Sequence, residues 1–242
     1  SRPTVLSKSS GTTGMPTVRF MDRDATVFNH LTVRRYLRDN HIPLGSTILF
    51  AHSSKETPLF WRSVPLQFFA QRVFASVFTL MENPELIRML NIDVVVGSPH
   101  QIQLLAQDVF AKGKVKPPRL FVNIAERLDV HQRRTIENCT GSTVIDAYCG
   151  SEFSTIIAFE CRICHRLHTN SDFILVEILS PEGKPMLQGG IGEVVITDLC
   201  NLVSQLIRYR TGDLATVSDI SECNCGRTLP VQINKIEGRI TE

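Results

Sequence analysis

No apolar run among the 242 residues approaches the length of a membrane span, so no membrane-crossing helix is expected. No charged-then-apolar leader with a small-residue cleavage site opens the sequence, and a cytoplasmic location is expected. Net charge is nearly absent: 26 Lys and Arg face 24 Asp and Glu, which argues against a nucleic-acid binder with its basic stripe. There is no internal repeat and no long low-complexity tract. Nor is there an even cysteine set; seven thiols in a chain this long point to reduced cysteines or a metal site rather than a disulfide framework. The sequence begins at Ser1 rather than Met, so a processed or trimmed N-terminus is expected. What is present is ordinary globular usage, 43% hydrophobic and 21% charged, enough for one large domain or one domain with a small annex.

Helical and strand patterns alternate over the first two-thirds. Residues 25–39 place Val27, Phe28, Leu31 and Tyr36 at helical spacing, and 46–50 (STILF) read as a buried strand. The apolar stretch 66–90 reads as helix, restarted at Asn83-Pro84. Strands follow at 93–96, 120–122 and 143–147, with helices through Phe110 and over 130–138 between them. Such alternation predicts an α/β fold with a mostly parallel sheet, crossover helices and a ligand crevice at the strands' carboxyl ends. From about 160 the texture changes: 173–179, 192–197 and 206–209 read as a β-meander. The predicted organisation is an α/β core over 1–159 and a smaller β-rich subdomain over 160–236.

Four segments carry chemistry. In SKSSGTTGMPT, four hydroxyls (Ser9, Ser10, Thr12, Thr13) and two glycines (Gly11, Gly14) crowd together, as in loops that turn N–H groups and hydroxyls toward one anion. The glycine spacing is not that of a Walker A loop, and a flexible Ser/Gly linker has the same composition. DAYCGSEF ends a predicted strand and offers a flat ring at Tyr148 with a hydroxyl–carboxylate pair, Ser151 and Glu152, suited to Mg²⁺; a solvated strand exit is the plainer reading. In QLIRYRTGDLA a strand runs into a Thr-Gly-Asp turn whose Asp213 can accept from two vicinal hydroxyls, as acidic residues do with ribose. IEGRITE places Gly238-Arg239 near the end of the sequence.

In this order the four segments resemble the adenylate-forming superfamily of acyl-CoA synthetases, adenylation domains and luciferases. With CNCGRTLP (223–230), they resemble its phenylacetate–CoA ligase-like branch. The resemblance covers nearly the whole sequence from Ser7. It implies the superfamily's N-terminal large domain, truncated, with residues 237–242 starting a hinge and a mobile C-terminal domain lying beyond. It implies that Ser9, Ser10, Gly11, Thr12, Thr13 and Gly14 hold ATP phosphates, that Tyr148 stacks on adenine, and that Asp213 with Arg239 holds the ribose. Ser151 and Glu152 would serve Mg²⁺ and the α-phosphate; Thr12, Thr13 and Glu152 would be catalytic; Ala125 and Glu126 of NIAE would lie near adenine and the acyl group. The implied reaction activates a carboxylic acid, aryl or arylacetic, to acyl-AMP and passes it to coenzyme A or a carrier-protein thiol. A relative that has lost catalysis and serves as a nucleotide-binding scaffold is the competing reading. Departures are Thr17 for the usual Lys, Cys149 after the Tyr, and Ile124 for a usual Gly.

Cys161, Cys164, His165 and His168 crowd one stretch and Cys223-x-Cys225 another, as paired zinc ligands do. The branch resemblance favours Cys161, His168, Cys223 and Cys225 as structural Zn²⁺ ligands; local knuckle geometry favours Cys164 over His168. Cys139 and Cys200 read as filler thiols. Trp61 with Phe60, Phe68, Phe69, Phe74 and Phe78 read as core, in a region where relatives shape the acyl pocket. His52 reads either as a crevice residue or as a hydrogen-bonded wall residue. Arg208 and Arg210, read as strand residues on one face, would meet phosphate or neighbouring carboxylates. Oligomeric state stays open.

Overall fold

The computed structural model describes residues 5–8, 18–53, 70–112, 115–220, 222–227 and 230–240. Strands β1 (Val5–Lys8) and β2 (Val18–Met21) lead into helix α1 (Arg23–Asp39). Next come β3 (Ser46–His52), β4 (Ala70–Ser76), α2 (Val77–Glu82), α3 (Glu85–Leu90) and β5 (Ile92–Gly97). Helix α4 (Pro99–Leu105) continues as a π-helical turn, Ala106–Phe110, before β6 (Leu120–Asn123), α5 (Val130–Thr140) and β7 (Thr143–Tyr148). The remainder is strand: β8 (Ala158–Glu160), β9 (Leu167–Thr169), β10 (Ile174–Leu179), β11 (Ile191–Asp198), β12 (Tyr209–Val217) and β13 (Val231–Arg239). The chain divides into two compact units, Arg34–Asp146 and the described residues of Ser1–Val33 with Ala147–Glu242. Among the described residues no helix is long and apolar enough to cross a membrane.

In Arg34–Asp146 the strands run parallel in the order β4, β3, β5, β6, β7. Parallel strands buried on both faces read as unbroken apolar runs, which is why ILF, VVV and LFV form β3, β5 and β6. Leu49, Val95 and Phe121 are solvent-free, and Ile102, Leu105 and Ile136 close over them. Phe110 meets the edge of Phe121 at 5.9 Å. Helix α5 starts where the Asp129 carboxylate accepts from the backbone N–H groups of His131 and Gln132 at 2.7 and 2.8 Å.

One expectation fails here. Residues 70–76, read as helix, form β4 and pair with β3 through seven residues, Ser46↔Ala70 to His52↔Ser76. The open edge of β3 supplies partners for a whole strand's backbone, and that pairing overrides a run whose apolar spacing also suits a helix. Helix begins only at Val77, and Phe78, expected in the core, is exposed while Val77 and Leu80 are buried.

The other unit is antiparallel, ordered β10, β11, β12, β13, β9, β8, with Ala147 and Tyr148 of β7 pairing against Phe159 and Ala158. Ile157, Ile174, Val194, Ile196 and Ile233 fill its core. The buried side of α1 is displaced from the expected stripe: Val27 and Leu31 are exposed, whereas Ala25 and Thr32 are buried. Thr32 Oγ1 lies 2.7 Å from Thr155 Oγ1, which satisfies a hydroxyl that the apolar pattern cannot flag.

A buried carboxylate organises the segment after Tyr148. Asp198 accepts from Ser154 N–H at 2.9 Å, from the Ser154 hydroxyl, and from Cys200 and Asn201 N–H at 3.0 and 3.2 Å. Burial first, then the carboxylates of Asp198, Asp172 and Asp22, push the Cys200 thiol up to about 12. Because its folded pKa lies above the unfolded value, this contribution to stability is whole below about pH 9 and is lost as pH rises toward 12. Iodoacetamide at about pH 8 is accordingly expected to leave Cys200 unmodified in the native chain and to label it after denaturation, read by peptide mass spectrometry.

Candidate nucleotide site, acyl cavity and thiol cluster

Tyr148, at the end of β7, donates its hydroxyl to Asp213 Oδ2 at 2.7 Å. On the other side of that carboxylate, Arg239 Nε lies 3.3 Å from Oδ1, its residue being the register partner of Asp213 across β12 and β13. Burial, then the Asp213 charge, hold Tyr148 well above the ordinary phenol range, so it remains a neutral donor. The Tyr209 hydroxyl is pushed up by burial, with Glu152 and Asp213 adding to the rise and Arg239 opposing it. The Tyr209 ring meets Phe153 edge-on at 5.8 Å.

The Thr-Gly-Asp segment is not the expected turn. It lies inside β12, whose first paired residue is Tyr209, and Gly212 sits at φ +76° where a side chain is disfavoured. Register slips in this stretch against both neighbours. Gly212 N–H donates to Glu193 Oε1 at 3.3 Å, and the Thr211 hydroxyl donates to Val194 O at 2.9 Å while accepting from Asp213 N–H at 3.0 Å. This local bulge holds Asp213 beside Tyr148. Arg208 and Arg210 are not strand partners on one face. Arg208 precedes the strand at φ +48° and pairs with Glu177, while Arg210 pairs with buried Glu193.

In Arg34–Asp146 a cavity of about 380 Å³ opens at the carboxyl ends of the parallel strands. Its apolar wall is Phe50, Ala51, Phe74, Val96 and Ile124, with Phe50 and Phe74 stacked at 5.0 Å. Polar side chains on it include His52, Ser53 and Gln101. At its mouth Ala125 adopts φ +71°, and Glu126 N–H bonds Ile124 O at 2.9 Å in a tight turn. Asn123 fixes this turn: its side-chain amide donates to Glu126 O at 2.8 Å and to Asp146 Oδ1 at 2.7 Å.

The β8–β9 hairpin and the loop before β13 bring thiols together. The ligand atoms of Cys161, Cys164, His168 and Cys223 all lie within 4.8 Å of one another. Cys161 Sγ is 3.7 Å from Cys223 Sγ, His168 Nε2 is 3.9 Å from Cys164 Sγ, and Cys225 Sγ is 3.7 Å from the same nitrogen. Two thiolates bound at ~2.3 Å in a tetrahedron sit about 3.8 Å apart, so the spacing fits one zinc ion. Ile163 N–H also donates to Cys161 Sγ at 3.4 Å. The tight group matches neither ligand set left open by the sequence: it holds Cys164 and His168 together, with Cys225 beside it.

No protein-family model matches the chain. It is 29% identical over 244 residues to the phenylacetate–coenzyme A ligase of Thermus thermophilus, covering 96% of this chain and 53% of that one. The corresponding enzyme of Pseudomonas putida gives 29% over 248 residues, covering 97% and 54%. The chain therefore spans about half the length of the curated relatives it matches. Among solved structures, an open conformation of 2-hydroxyisobutyryl-CoA ligase in complex with 2-HIB-AMP and CoA superposes with a TM-score of 0.80 at 20% identity, over 99% of this chain and 54% of that one. The fold is that of the adenylate-forming enzymes. The kinship with phenylacetate–CoA ligases expected from the motifs is likewise borne out in sequence.

Of the residues expected to serve an adenylate-forming site, Tyr148, Asp213 and Arg239 are brought into contact, with Glu152 in electrostatic reach of Tyr209. Ser151 is exposed, its hydroxyl 3.5 Å from Glu152 Oε2. Ala125 and Glu126 rim the cavity of their own unit. Ser9, Ser10, Gly11, Thr12, Thr13, Gly14 and Thr17 lie outside the described residues, as do Phe60, Trp61, Phe68 and Phe69. Sequence reasoning missed Asp198 and Glu193, and noted Asn123 only as the first residue of NIAE, not as the brace of that turn. Each acts by holding a motif residue's backbone or neighbour, and none carries a local signal.

Proposed function

We propose that the protein containing this chain activates an aryl or arylacetic acid with ATP and transfers the acyl group to coenzyme A. The substrate carboxylate oxygen bonds to the α-phosphorus, the bond to the β-phosphate oxygen breaks, and pyrophosphate leaves. The coenzyme A thiol, giving up its proton, then bonds to the acyl carbon and AMP leaves. Such displacements need positioning and charge neutralisation rather than a protein nucleophile. Asp213 accepts the ribose hydroxyls, Tyr148 lies against adenine, and Arg239 orients the Asp213 carboxylate; Ser9, Ser10, Thr12 and Thr13 are proposed for the phosphates. Glu152, with Ser151, would hold Mg²⁺, which neutralises phosphate charge when bound. The observation that carries this reading is the contact of Tyr148 on β7 and Arg239 on β13 with Asp213 at the bulge of β12. Coenzyme A is preferred over a carrier-protein thiol because the sequence relatives are named as coenzyme A ligases.

We also propose a structural zinc ion on Cys161, Cys164, His168 and Cys223, tying the hairpin to the loop before β13. Seven free cysteines support a reducing, cytoplasmic setting.

Thermal denaturation with ATP–Mg²⁺ or AMP tests the nucleotide reading, because binding to the native state raises the midpoint by mass action. A rise of several degrees at millimolar nucleotide is the expected result, together with acid-dependent pyrophosphate exchange by the protein at its natural length. A midpoint unmoved by either nucleotide overturns the reading.

A further inference from the structure

Strand β11 carries a charge where its surroundings call for an apolar side chain. Glu193 is only 8% exposed, and the residues that follow it, Val194, Val195 and Ile196, are buried aliphatics. Taking a carboxylate out of water is costly, and an apolar side chain of similar volume often serves a sheet as well or better. Its ion-pair partner Arg210 is 58% exposed, where water can serve the guanidinium without it. Sheet stability therefore gives no reason for the carboxylate.

Its hydrogen bonds do. Oε2 pairs with Arg210, and Oε1 accepts from Gly212 N–H at 3.3 Å, one residue before Asp213. Next to it, Val194 O accepts from the Thr211 hydroxyl at 2.9 Å, and that hydroxyl accepts from Asp213 N–H at 3.0 Å. Pairing between β11 and β12 slips at this point, between Glu193 and Val195. Gly212 stands at φ +76°, and nothing lies within 4 Å of a Cβ added there, so crowding at the glycine does not fix the bulge. Hydrogen bonds from β11 fix it. Tyr148 and Arg239 hold the two oxygens of Asp213, whereas Glu193 holds the backbone that carries them.

We propose that Glu193 is a positioning residue for Asp213, and that it sets the preference of the site for a nucleotide bearing both ribose hydroxyls over one bearing neither. One carboxylate meets two vicinal hydroxyls only from a narrow range of placements, because hydrogen bonds weaken steeply with angle. The inference rests on the nucleotide reading above and deepens it, from binding a nucleotide to telling its sugar.

Titration calorimetry of the purified chain with AMP and with 2′,3′-dideoxyadenosine monophosphate is the test. The unaltered chain is expected to prefer AMP about a hundredfold, the worth of two hydrogen bonds to a charged acceptor. Glu193→Leu is expected to cut that preference to about tenfold or less while dideoxy affinity stays within about twofold. Glu193→Gln keeps an oxygen for Gly212 N–H and is expected to hold the preference to within about threefold. Glu193→Ala covers the case in which the Leu variant fails to fold. An undiminished preference in the Leu or Ala variant overturns the proposal. So does equal weakening of both nucleotides, the mark of a merely structural role. If Asp213→Ala erases the preference and Glu193→Leu does not, this inference fails and the nucleotide reading stands. If neither nucleotide binds the unaltered chain, both fail.

Discussion

Asp213→Ala is expected to weaken AMP binding about a hundredfold. A hydrogen bond to a charged acceptor contributes roughly 1.5–3 kcal/mol, and two ribose hydroxyls on one carboxylate together approach about 3 kcal/mol. The substitution also orphans the Tyr148 hydroxyl and leaves the Arg239 guanidinium without its 3.3 Å partner, so the remaining site loses its arrangement as well as its acceptor. Arg239 is half-exposed, its side chain 42% accessible, and water can serve it once Asp213 is gone. The fold should therefore survive, with a melting point close to that of the unaltered chain, and the loss should appear in binding. Titration calorimetry with AMP decides it. An Asp213→Ala chain that binds AMP within about threefold of the unaltered one, less than the worth of one ordinary hydrogen bond, would remove Asp213 from the site.

Stripping metal with 1,10-phenanthroline is expected to lower the melting midpoint by about 10 °C. Structural zinc contributes about 10–16 kcal/mol in zinc-finger peptides, where the metal organises nearly everything. Here the hairpin and β13 are already paired by backbone hydrogen bonds, so the ion supplies only the tie to the loop at Cys223. A contribution of about 4 kcal/mol, at ~2–4 °C per kcal/mol for a chain of this size, gives the stated shift. Metal analysis should find about one zinc per chain, as one tetrahedral site requires. Cys161→Ser, Cys164→Ser and Cys223→Ser should each lose it, while Cys225→Ser should keep it, because Cys225 lies outside the tight group. Retention in Cys164→Ser with loss in Cys225→Ser would exchange the two ligands; less than half an equivalent in the unaltered chain would leave a cluster of packed thiols.

What the residues reveal in advance follows from how local their physics is. The strands over Ile92–Gly97 and Leu120–Asn123 were legible because parallel strands buried on both faces must be apolar throughout. Ala70–Ser76 was not, since an aromatic-rich apolar run suits helix and strand alike and only the free edge of β3 decides. On α1, Thr32 is buried because Thr155, 123 positions away, answers its hydroxyl, and no window of neighbours contains that fact. Tyr148, Asp213 and Arg239 were legible as motif residues, but not the bulge that aims Asp213. That bulge depends on Glu193, 19 positions from the Gly212 amide it accepts from. Asp198 holds Ser154 across 44 positions and Asn123 reaches Asp146 across 23, so no local window contains either contact.

Strand β13 is nine residues long, about 30 Å from end to end. At its beginning Val231 lies opposite His168 of the thiol cluster, and at its finish Arg239 lies opposite Asp213. One beam thus joins the thiol cluster at one tip to the Asp213–Arg239 pair at the other. If zinc bound at the first tip strengthens nucleotide binding at the second, nucleotide must strengthen zinc binding by the same factor. For such a protein, zinc starvation and nucleotide starvation would compound each other as a single stress.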